Sequence, residues 1–355
     1  MRIAQVAPLF ESVPPRRYGG TERVVSYLTE ELVRQGHRVT LFATGDSQTS
    51  AELVPTLARP LRGDPHWLVH ALIQLEQVFQ RAEDFDVLHF HTDHLHYPLL
   101  RHCDIPVVTT AHGRLDLPGL PRLHRVFSGA AVVSISEAQR APLPQARWVG
   151  TVHHGLPPSL YWPGSGAGGY LAFVGRISPE KRLDRALEIA RRAGLPLHIG
   201  AKVDPADRAY FEREIEPLLD RPGVKYLGEI GDREKGDLLA DALAVLFPID
   251  WPEPFGLVML EAMACGTPVL AFRGGSVEEI IRPGVTGAIV DTVDEAVAAL
   301  PDVVRLDRRR CREEFERRFS ARRMARDYVR VYERVMDAPW RVAESGWSAG
   351  AASNG

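Results

Sequence analysis

Short runs of β-branched and apolar residues alternate with longer stretches of helical spacing along most of the chain. In the first half, Arg2–Ala7, His37–Ala43, Asp86–Phe90, Pro106–Thr110 and Ala131–Ile135 read as strands. Thr21–Arg34 sets Val24, Val25, Leu28 and Leu32 at helical spacing with Gly36 as its stop, and His66–Arg81 reads as a second helix. A second series begins near residue 170. Its strands are Tyr170–Val174, Leu197–Ala201, Val224–Leu227, Ala244–Pro248, Val269–Phe272 and Gly287–Val290. Its helices are Lys181–Arg192, Arg208–Leu219, Phe255–Ala264, Ser276–Ile281 and Val293–Ala299. Such alternation predicts parallel sheets covered on both faces. Between the two series, Leu156-Pro157-Pro158 and the segment 162–169 are rich in Pro, Gly and Ser, as a linker is. The pattern therefore predicts an α/β chain of two doubly wound, Rossmann-like domains, 1–163 and 164–319, facing across a deep cleft. Ligands of such sheets bind beyond the carboxyl ends of the strands, so the cleft is the expected site. Arg308–Met336 is strongly charged and helical, with Tyr328, Val331 and Val335 as its apolar face. The tail 338–355 has the composition of a disordered segment.

Composition narrows the function classes. A length of 355 residues suits two domains, and 45% apolar with 25% charged residues is ordinary for a globular chain. No apolar run approaches the roughly 18 residues of a membrane helix, and the start reads as a strand rather than a signal peptide. Cys103, Cys265 and Cys311 are too few and too scattered for a disulfide frame or a zinc site, which favours a reducing cytoplasm. A net charge of −3 argues against a dedicated nucleic-acid binder. Of 43 basic residues only Lys181, Lys202, Lys225 and Lys235 are lysines. A single arginine therefore says little here, whereas a lysine asks for a reason.

The candidate chemistry concentrates at strand ends. Pro254 suits the first position of a helix that follows the strand Ala244–Pro248, and Gly266 suits its stop. The N–H groups of Phe255, Gly256 and Leu257 would then attract an anion. Glu253 precedes that helix and Glu261 lies eight residues later, an offset of about 80°. Both can border one elongated ligand, and carboxylates accept hydrogen bonds from vicinal diols. The structural alternative makes Glu253 a helix-dipole partner and Glu261 a solvated face residue. In a second window Gly175 ends a strand, and Arg176 and Lys181 flank a turn. Two such cations can clamp a diphosphate with charge-assisted bonds of roughly 1.5–3 kcal/mol each; plain surface charge is the alternative. Gly19-Gly20-Thr21-Glu22-Arg23 opens the first helix, where paired glycines let the backbone approach a ligand. It is not G-x-G-x-x-G, which argues against a nicotinamide or flavin oxidoreductase. The run from His89 through His91 and His94 to His96 lacks a matching Cys or Glu motif, so satisfied histidines are preferred to a metal site. His112 ends a strand before Gly113, hence at the cleft. Asp84-Phe85-Asp86 is formally an Asp-x-Asp but sits at the opposite edge, so it reads as a turn.

Taken together these windows resemble the family-4 glycosyltransferases (group 1), retaining enzymes of the GT-B fold. The resemblance is carried in order, over about residues 1–335, by Gly19-Gly20-Thr21-Glu22-Arg23, Asp86-Val87-Leu88-His89, Ala111-His112-Gly113, Ser134-Ile135-Ser136-Glu137, His154-Gly155-Leu156, Gly175-Arg176 with Glu180-Lys181, Leu227-Gly228, and Glu253-Pro254-Phe255-Gly256 with Glu261. It implies that Arg176 and Lys181 hold the donor diphosphate, that Glu261 takes the ribose hydroxyls, and that Glu253, Phe255 and Gly256 touch the transferred sugar. Gly175 and Leu257 complete the donor site, Gly19 and Gly20 close over the phosphates, and His112 lies beside the sugar. Glu253, His112, Arg176 and Lys181 are the catalytic candidates. A final helix, about 320–337, is expected to cross back onto the first domain. The implied reaction moves a hexose from a nucleotide diphospho-sugar, UDP before GDP, to a hydroxyl of a glycan, lipid or small molecule, with no metal or other cofactor. The loops Pro8–Tyr18 and Leu115–Arg125 are expected to choose the acceptor. Many members carry Asn-Gly-(Val or Ile)-Asp where this chain has His154-Gly155-Leu156-Pro157, so hydrogen bonding at the hinge must differ. A GT-B epimerase and a non-catalytic nucleotide-sugar-binding subunit are the alternatives. The expected location is cytoplasmic, with contact at the inner membrane face through Arg16, Arg17, Arg122 and Arg125 as a further option.

Overall fold

The computed structural model describes residues 1–17 and 19–337; the tail expected to be disordered lies outside them. The first sheet holds β1 (Arg2–Val6), β2 (Arg38–Thr44), β3 (Glu52–Leu57), β4 (Val87–Phe90), β5 (Val107–Thr110), β6 (Ala131–Ser134) and β7 (Trp148–Thr151). All its pairings are parallel, in the order β3-β2-β1-β4-β5-β6-β7. The second sheet holds β8 (Leu171–Arg176), β9 (Leu197–Lys202), β10 (Val224–Gly228), β11 (Ala244–Phe247), β12 (Val269–Phe272) and β13 (Gly287–Val290). It is parallel too, in the order β10-β9-β8-β11-β12-β13. Inner strands such as β4, β5, β6 and β11 are buried at every position, as their continuous apolar runs predict.

The helices of the first domain are α1 (Gly20–Arg34), α2 (Trp67–Gln80) and α3 (Leu120–Val126). In the second, α4 (Leu183–Ala193) is followed by one irregular helical stretch, in which α5 (Arg208–Tyr210) and α6 (Glu216–Leu219) flank a π-helical turn. Then come α7 (Asp232–Asp241), α8 (Leu257–Ala264), α9 (Val277–Ile280) and α10 (Val293–Val303). The chain ends in α11 (Arg308–Phe319) and α12 (Ala321–Asp337). Among the described residues no helix is long and apolar enough to cross a membrane.

Three expectations need correction. The first sheet has seven strands where five were expected, because β3 and β7 are half-exposed edge strands without a continuous apolar run. Lys181–Arg192 is not one helix: Pro179–Lys181 is a 3-10 turn, Arg182 is left-handed with φ 51°, and α4 starts at Leu183. The stretch Arg308–Met336, helical by its pattern, is interrupted at Ser320, which is extended at ψ 146°, and α12 follows at the place expected for the final helix, about 320–337. The cause is tertiary. The Leu156 N–H donates to the Phe319 carbonyl and the Ala321 N–H donates to the Leu156 carbonyl, each at 2.9 Å.

After that break α12 lies against α1, β5 and β7 of the first domain. It buries Met324, Ala325, Tyr328, Val331, Tyr332 and Val335, a stripe of helical spacing that includes the expected Tyr328, Val331 and Val335. Burying one large apolar side chain contributes roughly 1.5–3 kcal/mol. The same apolar cluster continues through α8 and α11 into the second sheet, so one core spans both domains.

Candidate active site

The carboxyl ends of both sheets face a cleft of about 520 Å³. Every candidate residue of the sequence lines it: Gly19, Gly20, His112, Gly175, Arg176, Lys181, Glu253, Phe255, Gly256, Leu257 and Glu261. So do Lys181, Lys202 and Lys235, three of the four lysines.

On the second-domain wall, the 3-10 turn before α4 aims Lys181 at Glu253, and their side chains form an ion pair. Glu253 is 8% exposed and also accepts a 2.9 Å hydrogen bond from Trp251 Nε1. The Lys181 ammonium lies 5.2 Å from the Trp251 ring centre and 5.7 Å from that of Phe247, within cation–π range. The loop of Glu253 is held from behind: the Ser276 N–H donates to its carbonyl at 3.0 Å, and a Cβ on Gly275 would meet that oxygen at 2.1 Å. The helix here begins one turn later than the sequence suggests, at Leu257 rather than Pro254. Gly256 precedes it in the left-handed region, φ 82°. The carbonyls of Pro254 and Phe255 accept from Ser136 Oγ and Ser276 Oγ, each at 2.7 Å, which holds these residues in a loop.

Glu261, in the second turn of α8, is 4% exposed. It accepts from Lys235 Nζ at 2.5 Å and from the Tyr161 hydroxyl at 3.4 Å. Lys235 also lies 3.4 Å from Asp232, and Arg23 reaches across from α1 to pair with that same carboxylate. Burial opposes ionisation of Asp232, but Arg23 and Lys235 outweigh it and hold the carboxyl below its usual range. Arg176, at the end of β8, pairs with Glu180 and lies 3.3 Å from Asp207 and 3.7 Å from Asp204. Across the cleft, a Cβ on Gly20 would find only Leu257 Cδ1, at 3.8 Å, so this backbone directly faces the start of α8.

The first-domain wall carries Arg17, Arg23 and Arg114, but around His112 it is made of neutral groups. His112 Nε2 lies 2.8 Å from His91 Nδ1, and His91 Nε2 lies 2.7 Å from Gln5 Oε1. An amide oxygen only accepts, so His91 carries its proton on Nε2. Burial drives the His91 pKa well below its ordinary value, so the ring is neutral and its Nδ1 accepts. His112 must then donate from Nε2. Burial also lowers His112, to about 3, which leaves Nδ1 with a bare lone pair. That atom is buried and has no partner among the described residues. The amide of Gln5 is oriented in turn by α12: its Nε2 donates to the Tyr332 hydroxyl at 3.0 Å, and that hydroxyl lies 2.7 Å from His89 Nδ1. His89, His91 and His112 are thus engaged with one another's neutral neighbours. Among the described residues no group of three His, Cys, Asp or Glu side chains is placed to hold a metal ion. Asp86 is bonded to the Arg2 guanidinium at 2.8 Å, at the edge of the sheet remote from the cleft.

At the hinge, His154 stacks on His112 with ring centres 5.3 Å apart and meets the Phe255 ring edge-on at 4.7 Å. Arg323 of α12 donates to the carbonyls of His153 and His154, each at 2.8 Å. Glu279 accepts from the N–H groups of Glu137 and Ala138 at 2.8 Å and lies 2.9 Å from His153 Nε2, which ties the domains together. Sequence reasoning missed Gln5, Tyr161, Asp232, Trp251 and Glu279, and it quoted Arg23 without giving it a role. It had a signal for Lys235 in the rarity of lysine.

Two facing parallel-sheet domains, with paired cations and carboxylates at the strand ends, define a GT-B fold with a nucleotide-sugar type of cleft. Comparisons with known proteins carry this further. The profile "Glycosyl transferases group 1" matches residues 166–318 and the profile "Glycosyltransferase Family 4" matches residues 18–149. The chain belongs to the family-4, group 1 glycosyltransferases. It is 27% identical to an uncharacterised glycosyltransferase of Methanocaldococcus jannaschii, over 81% of this chain and 84% of that protein. It is 26% identical to the phosphatidyl-myo-inositol mannosyltransferase of Mycobacterium leprae, over 96% of this chain and 99% of that one. The crystal structure of Anabaena HepE in complex with UDP and glucose superimposes with a TM-score of 0.72 at 19% identity, covering 94% of this chain and 100% of that one.

Proposed function

We propose that this glycosyltransferase is a retaining hexosyltransferase that uses a nucleoside diphosphate sugar, UDP-sugar in the first place. The observation that carries this reading is the Lys181–Glu253 pair at the head of α8, one cation and one carboxylate side by side where a glycosyl phosphate bond would lie. In this reading Lys181 and Arg176 bind the diphosphate together with the backbone at Gly19 and Gly20. Glu261 accepts hydrogen bonds from the ribose, and Gly175 and Leu257 border the nucleotide. Glu253, Phe255, Gly256 and His112 contact the sugar. The anomeric C–O bond breaks and its electron pair goes to the β-phosphate oxygen. The charge that builds there is stabilised by groups already in place, which is where such sites gain most. An acceptor hydroxyl attacks on the same face and passes its proton to the departing phosphate, so no second carboxylate is needed as base. Lys181 and Arg176 supply the positive charge that a divalent cation supplies elsewhere, and we propose that none is required. A solved relative holding UDP and glucose supports UDP as the donor nucleotide. Three buried, unbridged cysteines fit a reducing cytoplasm.

The test is to incubate the protein with UDP-, GDP- and ADP-sugars in the presence of a chelator and follow nucleotide release with and without acceptors. Acceptor-dependent release from one UDP-sugar is expected. Release of an epimerised sugar without acceptor, or donor binding with no turnover for any acceptor, would replace the proposal with an epimerase or a binding subunit.

A further inference from the structure

A second cavity of about 440 Å³ lies wholly in the first domain. It is bounded by the loops after β1, β4 and β5 and by α1 and α2, and it shares Thr21, His112 and Gly113 with the donor cleft. Its walls are apolar over Leu9, Phe10, Leu61, Trp67 and Leu95. At its outer end Phe10 and Trp67 are 42% and 37% exposed, with ring centres 5.7 Å apart. Two polar atoms in its lining are buried without a partner among the described residues: Thr92 Oγ1 and His112 Nδ1. Unpaired buried polar atoms of this kind mark places where a ligand hydroxyl can complete the bonding.

Glu22 and Asp93 line the cavity together with the imidazoles of His91, His94 and His112, and no lysine or arginine does. Arg62 approaches from outside, and it is paired with Glu11. The imidazoles of His91 and His112 are kept neutral by burial. Burial raises the Glu22 pKa and Glu11 adds to it, against backbone hydrogen bonding and the Arg62 charge, which lower it. Asp93 is held in a left-handed conformation, φ 56°, a costly placement for a residue other than glycine. A phosphate in this space would meet two carboxyl groups and no lysine or arginine in the lining.

We propose that this cavity is the acceptor subsite and that it takes an uncharged sugar or polyol bearing an apolar group: hydroxyls meet Thr92 and His112, and the apolar group lies between Phe10 and Trp67. This rests on the donor reading above and deepens it. The inference separates this chain from its mycobacterial relative, whose name specifies a phosphorylated inositol lipid.

The experiment uses the full chain saturated with UDP. The probes are the octyl glycosides of glucose, galactose and mannose, the 6-phosphates of the same sugars, and inositol 1-phosphate. Binding is followed by ligand-observed saturation-transfer NMR on the wild type, on Ala71→Trp, which fills the cavity from α2, and on Trp67→Ser, which removes the aromatic mouth. At least one octyl glycoside should bind, and its affinity should fall at least tenfold in both variants while UDP affinity stays unchanged. The phosphates should give no signal that depends on Ala71. Phosphates displaced by Ala71→Trp would overturn the charge argument. Octyl glycosides that fail to bind, or that bind equally to all three proteins, would overturn the subsite. Failure of UDP to bind the wild type would count against the donor reading alone, since the glycoside arms still report on the cavity.

Discussion

Apart from Arg17, Arg23 and Arg114 on the first domain, the two walls of the cleft handle polar groups in opposite ways. On the second domain, Lys181, Lys235 and Arg176 are charged and each is matched to a carboxylate. On the first domain, His91, His112 and His154 are stripped of charge by burial and linked through neutral hydrogen bonds and ring stacking. The difference has a physical meaning. An ammonium can exchange a carboxylate partner for a phosphate oxygen without changing its own state, so an ionic wall suits a ligand that arrives and leaves with charge. A neutral imidazole offers one donor and one acceptor in fixed directions, so a histidine wall suits hydroxyl groups that must be held in one orientation.

The largest expected effect tests the neutral wall through stability. His89, His91, His96, His112 and His154 are all kept from protonating by burial. An unfolded chain takes up these protons as the pH falls through about 6.5, whereas the folded chain does not until far lower. Their contribution is therefore complete above 6.5 and is lost as the pH drops below it. At about 1.4 kcal/mol for each histidine, moving from pH 7.5 to 5.5 should cost about 7 kcal/mol. Urea midpoints at the two pH values, with an unchanged slope, would show it. Equal midpoints would mean that the histidine wall opens readily to water.

The ionic wall comes next. Lys181→Ala should lower kcat/KM for the donor by about 10²–10³, in line with the roughly 2.7–4 kcal/mol lost when one donor to a developing charge is removed. Steady-state kinetics beside calorimetric UDP binding would measure it, and unaltered kinetics would make the Lys181–Glu253 pair purely structural. Glu253→Gln should lower kcat by about 10-fold to 10²-fold and leave UDP affinity within about threefold. Equal losses for UDP and the UDP-sugar would remove Glu253 from the sugar. The smallest effect belongs to the relay behind His112. Gln5→Met removes the acceptor that fixes His91, so His112 should populate both tautomers and kcat should fall by about threefold to tenfold. Nitrogen-15 NMR of the wild type should find His112 protonated at Nε2 alone; protonation at Nδ1 would reverse the reading of this wall.

Much of this was legible in the residues, and the limits follow from distance along the chain. Buried inner strands announced themselves as apolar runs, and the spacing of Glu253, just before α8, and Glu261, within it, marked the second-domain wall. The edges β3 and β7 did not, because a half-exposed strand needs no continuous apolar run. The break at Ser320 had no local signature, since its extended backbone is imposed by Leu156. Partners brought together by folding were likewise silent: Gln5 and Tyr332 are 327 positions apart, and Arg23 and Asp232 are 209 apart. Lysine was the informative exception. In a chain that uses arginine almost everywhere, three of its four lysines line the cleft.

The crossing at Leu156 and Ser320 makes the chain pass between domains twice at one spot, the two passages clipped together by backbone bonds on both sides. Two passages tied at one point hold the lobes in register there, which keeps the Gly20 backbone placed over Leu257.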